Sequence, residues 1–245
     1  MKKSYLILSS LLVLTLAACS QEKPTSSEST TTTEQTSKQE ETESIKQEEV
    51  TSSSEESKQK KAEVVNKGDY YSVQGKYDEI IIANKYYPLS KNYNPGENHT
   101  AKIELLKLIA TMQEEGYAIS DDYSGFRNYE LQKKLYEKYV EEEGKEAADR
   151  ESARPGYSEH QTGLAFDLIN TDGDLVTEEK AAQWLLDHAA DYGFVVRYLK
   201  GKEKETGYMA EEWHLRYVGK EAKDIAASGL SLEEYYGFEG GDYVD

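Results

Sequence analysis

The sequence predicts an α+β domain, a small antiparallel sheet with helices packed around it, preceded by a leader that is not globular. Three observations predict it. Helical periodicities come first and strand alternations later, without the regular alternation that a doubly wound sheet requires. No aromatic residue lies between Tyr5 and Tyr70, and 19 of the 20 tyrosines stand from Tyr70 onward, so the core-forming residues are C-terminal. The single cysteine among 245 residues rules out an intramolecular disulfide and a Cys-rich zinc module as the source of stability. A balance of 29 Lys+Arg against 47 Asp+Glu gives a net charge of −18. That charge excludes nucleic acid as a partner, because neutralising phosphates needs a basic surface.

The leader begins with Lys2 and Lys3, then an apolar stretch from Leu6 to Ala18 that is too short for a comfortable membrane span. Leu16-Ala17-Ala18-Cys19 resembles a bacterial lipobox. That resemblance implies lipidation of Cys19, cleavage before it, and a chain held on the outer face of the cytoplasmic membrane. Two acyl chains are enough for stable anchoring. Residues 20 to 62 are mostly Ser, Thr, Glu, Gln and Lys. Such a segment buries too little surface to offset the entropy of ordering, so a disordered tether is expected. As a flexible linker it would reach roughly 35 Å, into the layer above the bilayer, where bacteria keep peptidoglycan. The expected organisation is a signal peptide over 1–18, a lipidated tether over 19–62, and one domain over 63–245, expected to be monomeric.

Within the domain, Glu79 to Ala83 reads as a short strand. Thr100 to Glu115 reads as a helix capped by Thr100, with Ile103, Leu106 and Ala110 on one face and Gly116 after it. Asn128 to Glu143 reads as a second helix, capped by Asn128, with Leu131, Leu135 and Tyr139 inward and Gly144 as terminator. Thr177 to Tyr192 is a third, with Glu178 and Glu179 in its first turn. Ser231 to Glu234 has the form of a capping box for a last short helix. Gly163 to Ile169 and Glu212 to Val218 read as strands.

Those two strands hold the chemistry. In the first, Leu164, Phe166 and Leu168 alternate onto one face and Ala165 and Asp167 onto the other. A carboxylate in the middle of an apolar strand is costly unless it meets a cation or a full set of hydrogen bonds. Gly163 lets the chain turn, so that His160 can approach the same space. In the second strand Trp213, Leu215 and Tyr217 form the buried face and His214 points the other way. His160, Asp167 and His214 suit Zn²⁺, and three protein ligands leave a fourth position for water, as in catalytic zinc sites. Glu211 has the wrong parity for that face within a regular strand and is expected in the turn before it, placed to accept the water proton. Of the other histidines, His188 reads as a packing residue on the third helix and His99 as a loop residue.

Ser158-x-His160-x-x-Gly163-x-Ala165-x-Asp167 followed by Glu211-x-Trp213-His214 resembles the signature of the VanY-type D-alanyl-D-alanine carboxypeptidases. These are zinc peptidases related to the VanX dipeptidases and, more distantly, to lysostaphin-like enzymes and the hedgehog signalling domain. The resemblance also covers Ser124 to Tyr129, Gln132 and Arg154 to Tyr157, and extends from Tyr70 to the C-terminus. It implies one Zn²⁺ held by His160, Asp167 and His214, with Glu211 as catalytic base. It further implies that Arg127 binds substrate and steadies the oxyanion, and that Gln132 and Ser158 help to hold the peptide terminus. The implied partners are peptidoglycan stem peptides, and the implied reaction is release of terminal D-alanine. Within the family the domain is most similar to streptococcal L,D-carboxypeptidases, while a D,D-carboxypeptidase and a non-catalytic wall-binding relative stay open. Two positions depart from the pattern, Asn128 in place of Ser and Glu212 in place of Pro.

Overall fold

The structure is a computed structural model and describes residues 61–244. The signal peptide, Cys19 and all but the last two residues of the 19–62 tether lie outside the described residues. Three short strands open the described part: β1 (Val65–Asn66), β2 (Tyr71–Gln74) and β3 (Glu79–Ile82), an antiparallel sheet in that order. The expected strand at 79–83 is β3.

The first helix, α1 (His99–Glu114), is capped by Asn98, whose side chain accepts from the Ala101 N–H, and not by Thr100. Its buried face is also not the predicted one. Ala101, Leu105, Leu108, Ile109 and Met112 are buried, and Ile103, Leu106 and Ala110 are exposed. Apolar residues occur on two sides of this helix, and the wider stripe, spaced i, i+4, i+7, i+8, i+11, is the one the sheet covers. β4 (Ile119–Ser124) follows, then α2 (Tyr129–Glu143), which Asn128 caps as expected through the Leu131 N–H. Gln132 is the one fully buried side chain of α2, and Leu131 is exposed. The reason is position: α2 borders a cleft instead of covering the core. After Gly144 the chain continues as α3 (Lys145–Glu151).

β5 (Ala165–Asn170), β6 (Phe194–Tyr198) and β7 (Glu211–Tyr217) join β4 in a four-stranded antiparallel sheet of order β4-β5-β7-β6. One face carries Phe166, Leu168, Phe194, Val196 and Leu215. It packs on α1 and on Trp184 and Leu185 of α4 (Glu179–His188). Burying each of these side chains stabilises the fold by about 1.5–3 kcal/mol. α4 is shorter than the predicted third helix. Glu178 caps it through the Ala181 N–H, and beyond His188 the chain tightens into a 3-10 turn over Ala189–Tyr192. His188 is exposed, with its ring 4.8 Å from that of Trp184, so it packs at the surface.

Between β6 and β7 lies the short α5 (Glu203–Thr206), and two helices close the chain, α6 (Ala222–Ser228) and α7 (Leu232–Tyr236). Both halves of the predicted Ser231–Glu234 capping box are formed at α7. A second apolar cluster joins Val73, Ile80 and Ile82 to Val195, Ile225, Leu232 and Phe238. The fold is therefore the α+β arrangement read from the sequence. α1 and α4 cover one face of the four-stranded sheet; on the other, α6 and α7 pack against Val195 of β6, and the polar side chains of β4, β5 and β7 line a cleft.

Candidate active site

Register brings the predicted residues together. Asp167 of β5 stands opposite Ser124 of β4 on one side and His214 of β7 on the other, so the three share the open face in one row. His160 comes from a 3-10 turn over Glu159–Thr162, where the Ser158 side chain accepts from the His160 N–H. Glu211 reaches the same face by a route that parity alone excludes. Val196 pairs with Leu215, but two residues later Tyr198 pairs with Glu211, four residues earlier, and this register shift accommodates two extra residues on β7. Glu211 is thus the first residue of β7, and not part of a preceding turn. The irregular stretch Glu212-Trp213 turns its side chain toward the cleft.

Asp167 Oδ2 lies 3.1 Å from His160 Nε2, and Asp167 Oδ1 lies 3.2 Å from His214 Nδ1. Glu211 Oε2 is 3.3 Å from the same His214 Nδ1. One donor atom from each of His160, Asp167 and His214 can be chosen so that all lie within 4.8 Å of one another, and all three residues are buried. Asp167 Oδ1 is buried with no hydrogen bond. A buried carboxylate oxygen without a hydrogen bond, facing imidazole nitrogens, is a ready donor set for a cation. The N/N/O chemistry of the set fits Zn²⁺.

The outer ring nitrogens are already engaged. His160 Nδ1 is 2.8 Å from the Gly125 carbonyl, which only accepts, so Nδ1 carries the proton and Nε2 offers its lone pair. His214 Nε2 faces Glu159 Oε2 at 3.3 Å. Burial opposes the charged imidazole of His214, but Asp167, Glu159 and Glu211 outweigh it and, with no ion bound, hold the group well above its usual range. For Glu211 burial dominates and raises the carboxyl above the ordinary value, with His214 opposing.

Arg127 donates from Nη1 to Ser124 Oγ at 2.7 Å and from Nε to Gln132 Oε1 at 3.1 Å, and its Nη1 lies 3.6 Å from Asp167 Oδ2. Gln132 is fully committed: its amide nitrogen donates to Ala153 O at 2.7 Å and Ser152 Oγ at 3.3 Å. It therefore stands behind Arg127 and not on the cleft wall, whereas Ser158 lines the cleft. The cleft has a volume of about 140 Å³ and is walled by Arg127, Ser158 and Glu211, with Leu135, Tyr139 and Trp213 giving it an apolar side.

The sequence reading missed a buried ion network behind His214. Glu159 Oε1 accepts from Arg197 Nε and Arg216 Nη1, each at 2.8 Å, and Arg197 also grips Glu233 with two hydrogen bonds of 2.8 and 2.6 Å. Burial opposes the charge on Glu159, but the two guanidiniums and His214 outweigh it and keep the carboxyl far below its ordinary range. The available signal was an arginine in the middle of each of two apolar strands, Phe194–Tyr198 and Trp213–Tyr217.

Comparison with known proteins agrees with this geometry. The sequence model of the VanY family, D-alanyl-D-alanine carboxypeptidase, matches residues 96–220. The solved structure of the LdcB LD-carboxypeptidase, described with its peptidoglycan recognition, is 84% identical, with a TM-score of 0.74 over 76% of this chain and 100% of that one. Two solved structures of DacB of Streptococcus pneumoniae, one described as an L,D-carboxypeptidase, are each 86% identical, with TM-scores of 0.74 and 0.72 over 75% of this chain and 100% of those chains. A vancomycin-resistance D,D-pentapeptidase VanY, solved in complex with Zn(II), is 33% identical with a TM-score of 0.56, over 63% of this chain and 97% of that one. The matched span takes in both strands of the His160/Asp167/His214 cluster, the Glu211 that follows the register shift and the Arg127 fork, and by it this chain belongs to the VanY family of D-alanyl-D-alanine carboxypeptidases.

Proposed function

We propose that this chain is a zinc-dependent L,D-carboxypeptidase that removes the terminal D-alanine from peptidoglycan stem tetrapeptides in cell-wall remodelling. The observation that carries the reading is the convergence of His160 Nε2, Asp167 and His214 Nδ1 beside Glu211 and Arg127. Support for an L,D bond over a D,D bond comes from the 84–86% identity to two L,D-carboxypeptidases.

His160, Asp167 and His214 would hold the ion. A zinc ion bound there supplies Lewis-acid polarisation of the scissile carbonyl and lowers the pKa of water to about 7. Glu211, buried and next to His214, accepts the proton as water attacks and returns it to the departing amine of D-alanine. Arg127 is anchored at Nε by Gln132 and at Nη1 by Ser124, which fixes the guanidinium plane before substrate arrives. It grips the peptide carboxylate and the developing oxyanion with charged donors that cannot be deprotonated. Ser158 meets the peptide terminus from the cleft wall, and Gln132 acts through Arg127.

Anchoring belongs to the same proposal. The Leu16–Cys19 motif supports lipidation at Cys19 and placement on the outer face of the membrane, with the Ser/Thr/Glu-rich segment as tether. Incorporation of labelled fatty acid into the protein, lost in Cys19→Ala, tests that part.

The activity is tested by incubating purified protein with defined tetrapeptide and pentapeptide muropeptides, with and without chelator, and weighing the products. Chelator-sensitive loss of one alanine from the tetrapeptide is the expected result. Loss from the pentapeptide alone would make the chain a D,D-carboxypeptidase, and loss from neither would leave a binding role.

A further inference from the structure

Among the described residues, the least expected feature near the site is a buried, charge-balanced quartet: Glu159, Arg197, Arg216 and Glu233, all at most 4% exposed. Its parts come from a 3-10 turn, two strands and α7. Two guanidiniums face two carboxylates, so the quartet can sit in the interior without a net charge. It also has an outlet, since Glu159 Oε2 faces His214 Nε2 while Oε1 takes both arginine donors.

We infer that Glu159 is a positioning residue for His214: its carboxylate accepts a hydrogen bond from Nε2–H and leaves Nδ1 as the one nitrogen free to hold a cation. Arg197 and Arg216 fix that carboxylate from the other side. Glu233 holds Arg197 bidentately, and Arg216 Nη2 donates to the Ile81 carbonyl at 2.6 Å, so the orientation is tied to α7 and to β3. The role presupposes that His160, Asp167 and His214 are the ligands. It adds opposite tautomers for the two histidines, set by a backbone carbonyl for His160 and by a side-chain carboxylate for His214.

Glu159→Gln tests this because an amide cannot satisfy the same donors. Three N–H donors converge on two carboxylate oxygens, and glutamine offers one oxygen. With that oxygen kept by the two arginines, the NH₂ group faces His214 Nε2. The imidazole must then give up its Nε2 proton and carry it on Nδ1, the nitrogen needed for the ion. Loss of such an outer partner typically costs 10–100-fold in metal affinity.

Two measurements decide. In zinc-loaded wild-type protein with ¹⁵N-labelled histidine rings, long-range ¹H–¹⁵N correlations are expected to show His214 protonated at Nε2 and ligated at Nδ1, with His160 reversed. Chelator competition is expected to show zinc held about 10–100-fold more weakly by Glu159→Gln than by the wild type. A His214 protonated at Nδ1 and ligated at Nε2 would overturn the role, and so would a folded Glu159→Gln protein with wild-type affinity. Should that variant fail to fold, the wild-type spectrum decides alone. A wild-type protein that takes up no zinc removes the ligand assignment itself, a different failure from zinc bound with the wrong tautomer.

Discussion

Gly163 joins the turn that carries His160 to the strand that carries Asp167, and its replacement by alanine gives a prediction with a magnitude. Its φ is +72°, where an L-residue is strained by roughly 1–2 kcal/mol. A Cβ there would stand 2.0 Å from the carbonyl oxygen of Gly96. Ordinary contact begins at 3.4 Å, so one backbone must retreat by 3.4 − 2.0 = 1.4 Å. Neither moves freely, because the Asn98 N–H donates to the Gly163 carbonyl at 2.9 Å and Asn98 also caps α1. Overpacking of this kind adds about 1–3 kcal/mol, for a total loss of about 2–5 kcal/mol. Gly229, at the end of α6, is the control: its φ is +65°, yet a Cβ there meets nothing within 4 Å. Gly229→Ala should therefore lose only the strain, about 1–2 kcal/mol in urea unfolding, and keep its turnover. Gly163→Ala should lose more stability, and its turnover should fall on the order of 100-fold, since a 1 Å misplacement near the chemistry costs about that much. Equal unfolding energies for the two variants, with Gly163→Ala still fully active, would refute the reasoning.

Glu211→Gln should keep stoichiometric zinc by elemental analysis and lose about 10²–10⁴ in kcat, because a positioned base is worth that much. Arg127→Lys cannot reproduce a fork anchored at Nε and Nη1, so kcat/KM should fall by the equivalent of about 1.5–3 kcal/mol, measured with the tetrapeptide. Asp149 accepts from Arg154 Nε at 3.0 Å, from Arg154 Nη2 at 2.8 Å and from the Tyr136 hydroxyl at 2.6 Å. Burial works against its charge, but these partners win and lower its pKa below the usual 3.8. A depressed folded pKa contributes stability above the unfolded value and loses it as the pH falls through the folded one. Wild type should thus exceed Asp149→Asn by about 1.5–3 kcal/mol at neutral pH, and the gap should close below about pH 4 in urea titrations.

What could be read in advance followed from local rules. Alternation along the strands read at Gly163–Ile169 and Glu212–Val218 placed Asp167 and His214 on one face and Phe166 and Leu215 on the other, because a strand's period of two leaves no choice once one face is apolar. The Asn128 cap and the Ser231–Glu234 box were legible for the same reason, since their partners lie within three residues. That Glu211 lies beside His214 was legible but its route there was not, because a register shift is a property of the β6–β7 pair and not of either strand. The buried face of α1 was missed because its sequence is apolar on two sides, and the choice between them is made by the sheet it meets.

The ion network lies at the far end of that scale. Arg197 and Arg216 each interrupt an apolar strand, so the sequence announces two buried cations that must be neutralised. It does not say which of 47 acidic residues does so. The partners chosen, Glu159 and Glu233, are separated from Arg197 by 38 and 36 positions, and only the strand order β5-β7-β6, with α7 folded back, brings them within 3 Å. Side chains on paired strands, such as Asp167 and His214, are local enough to be placed on one face from parity. The carboxylate that faces His214 Nε2 is set by topology, so the proposed effect of Glu159→Gln would arise at a position that no spacing rule marks.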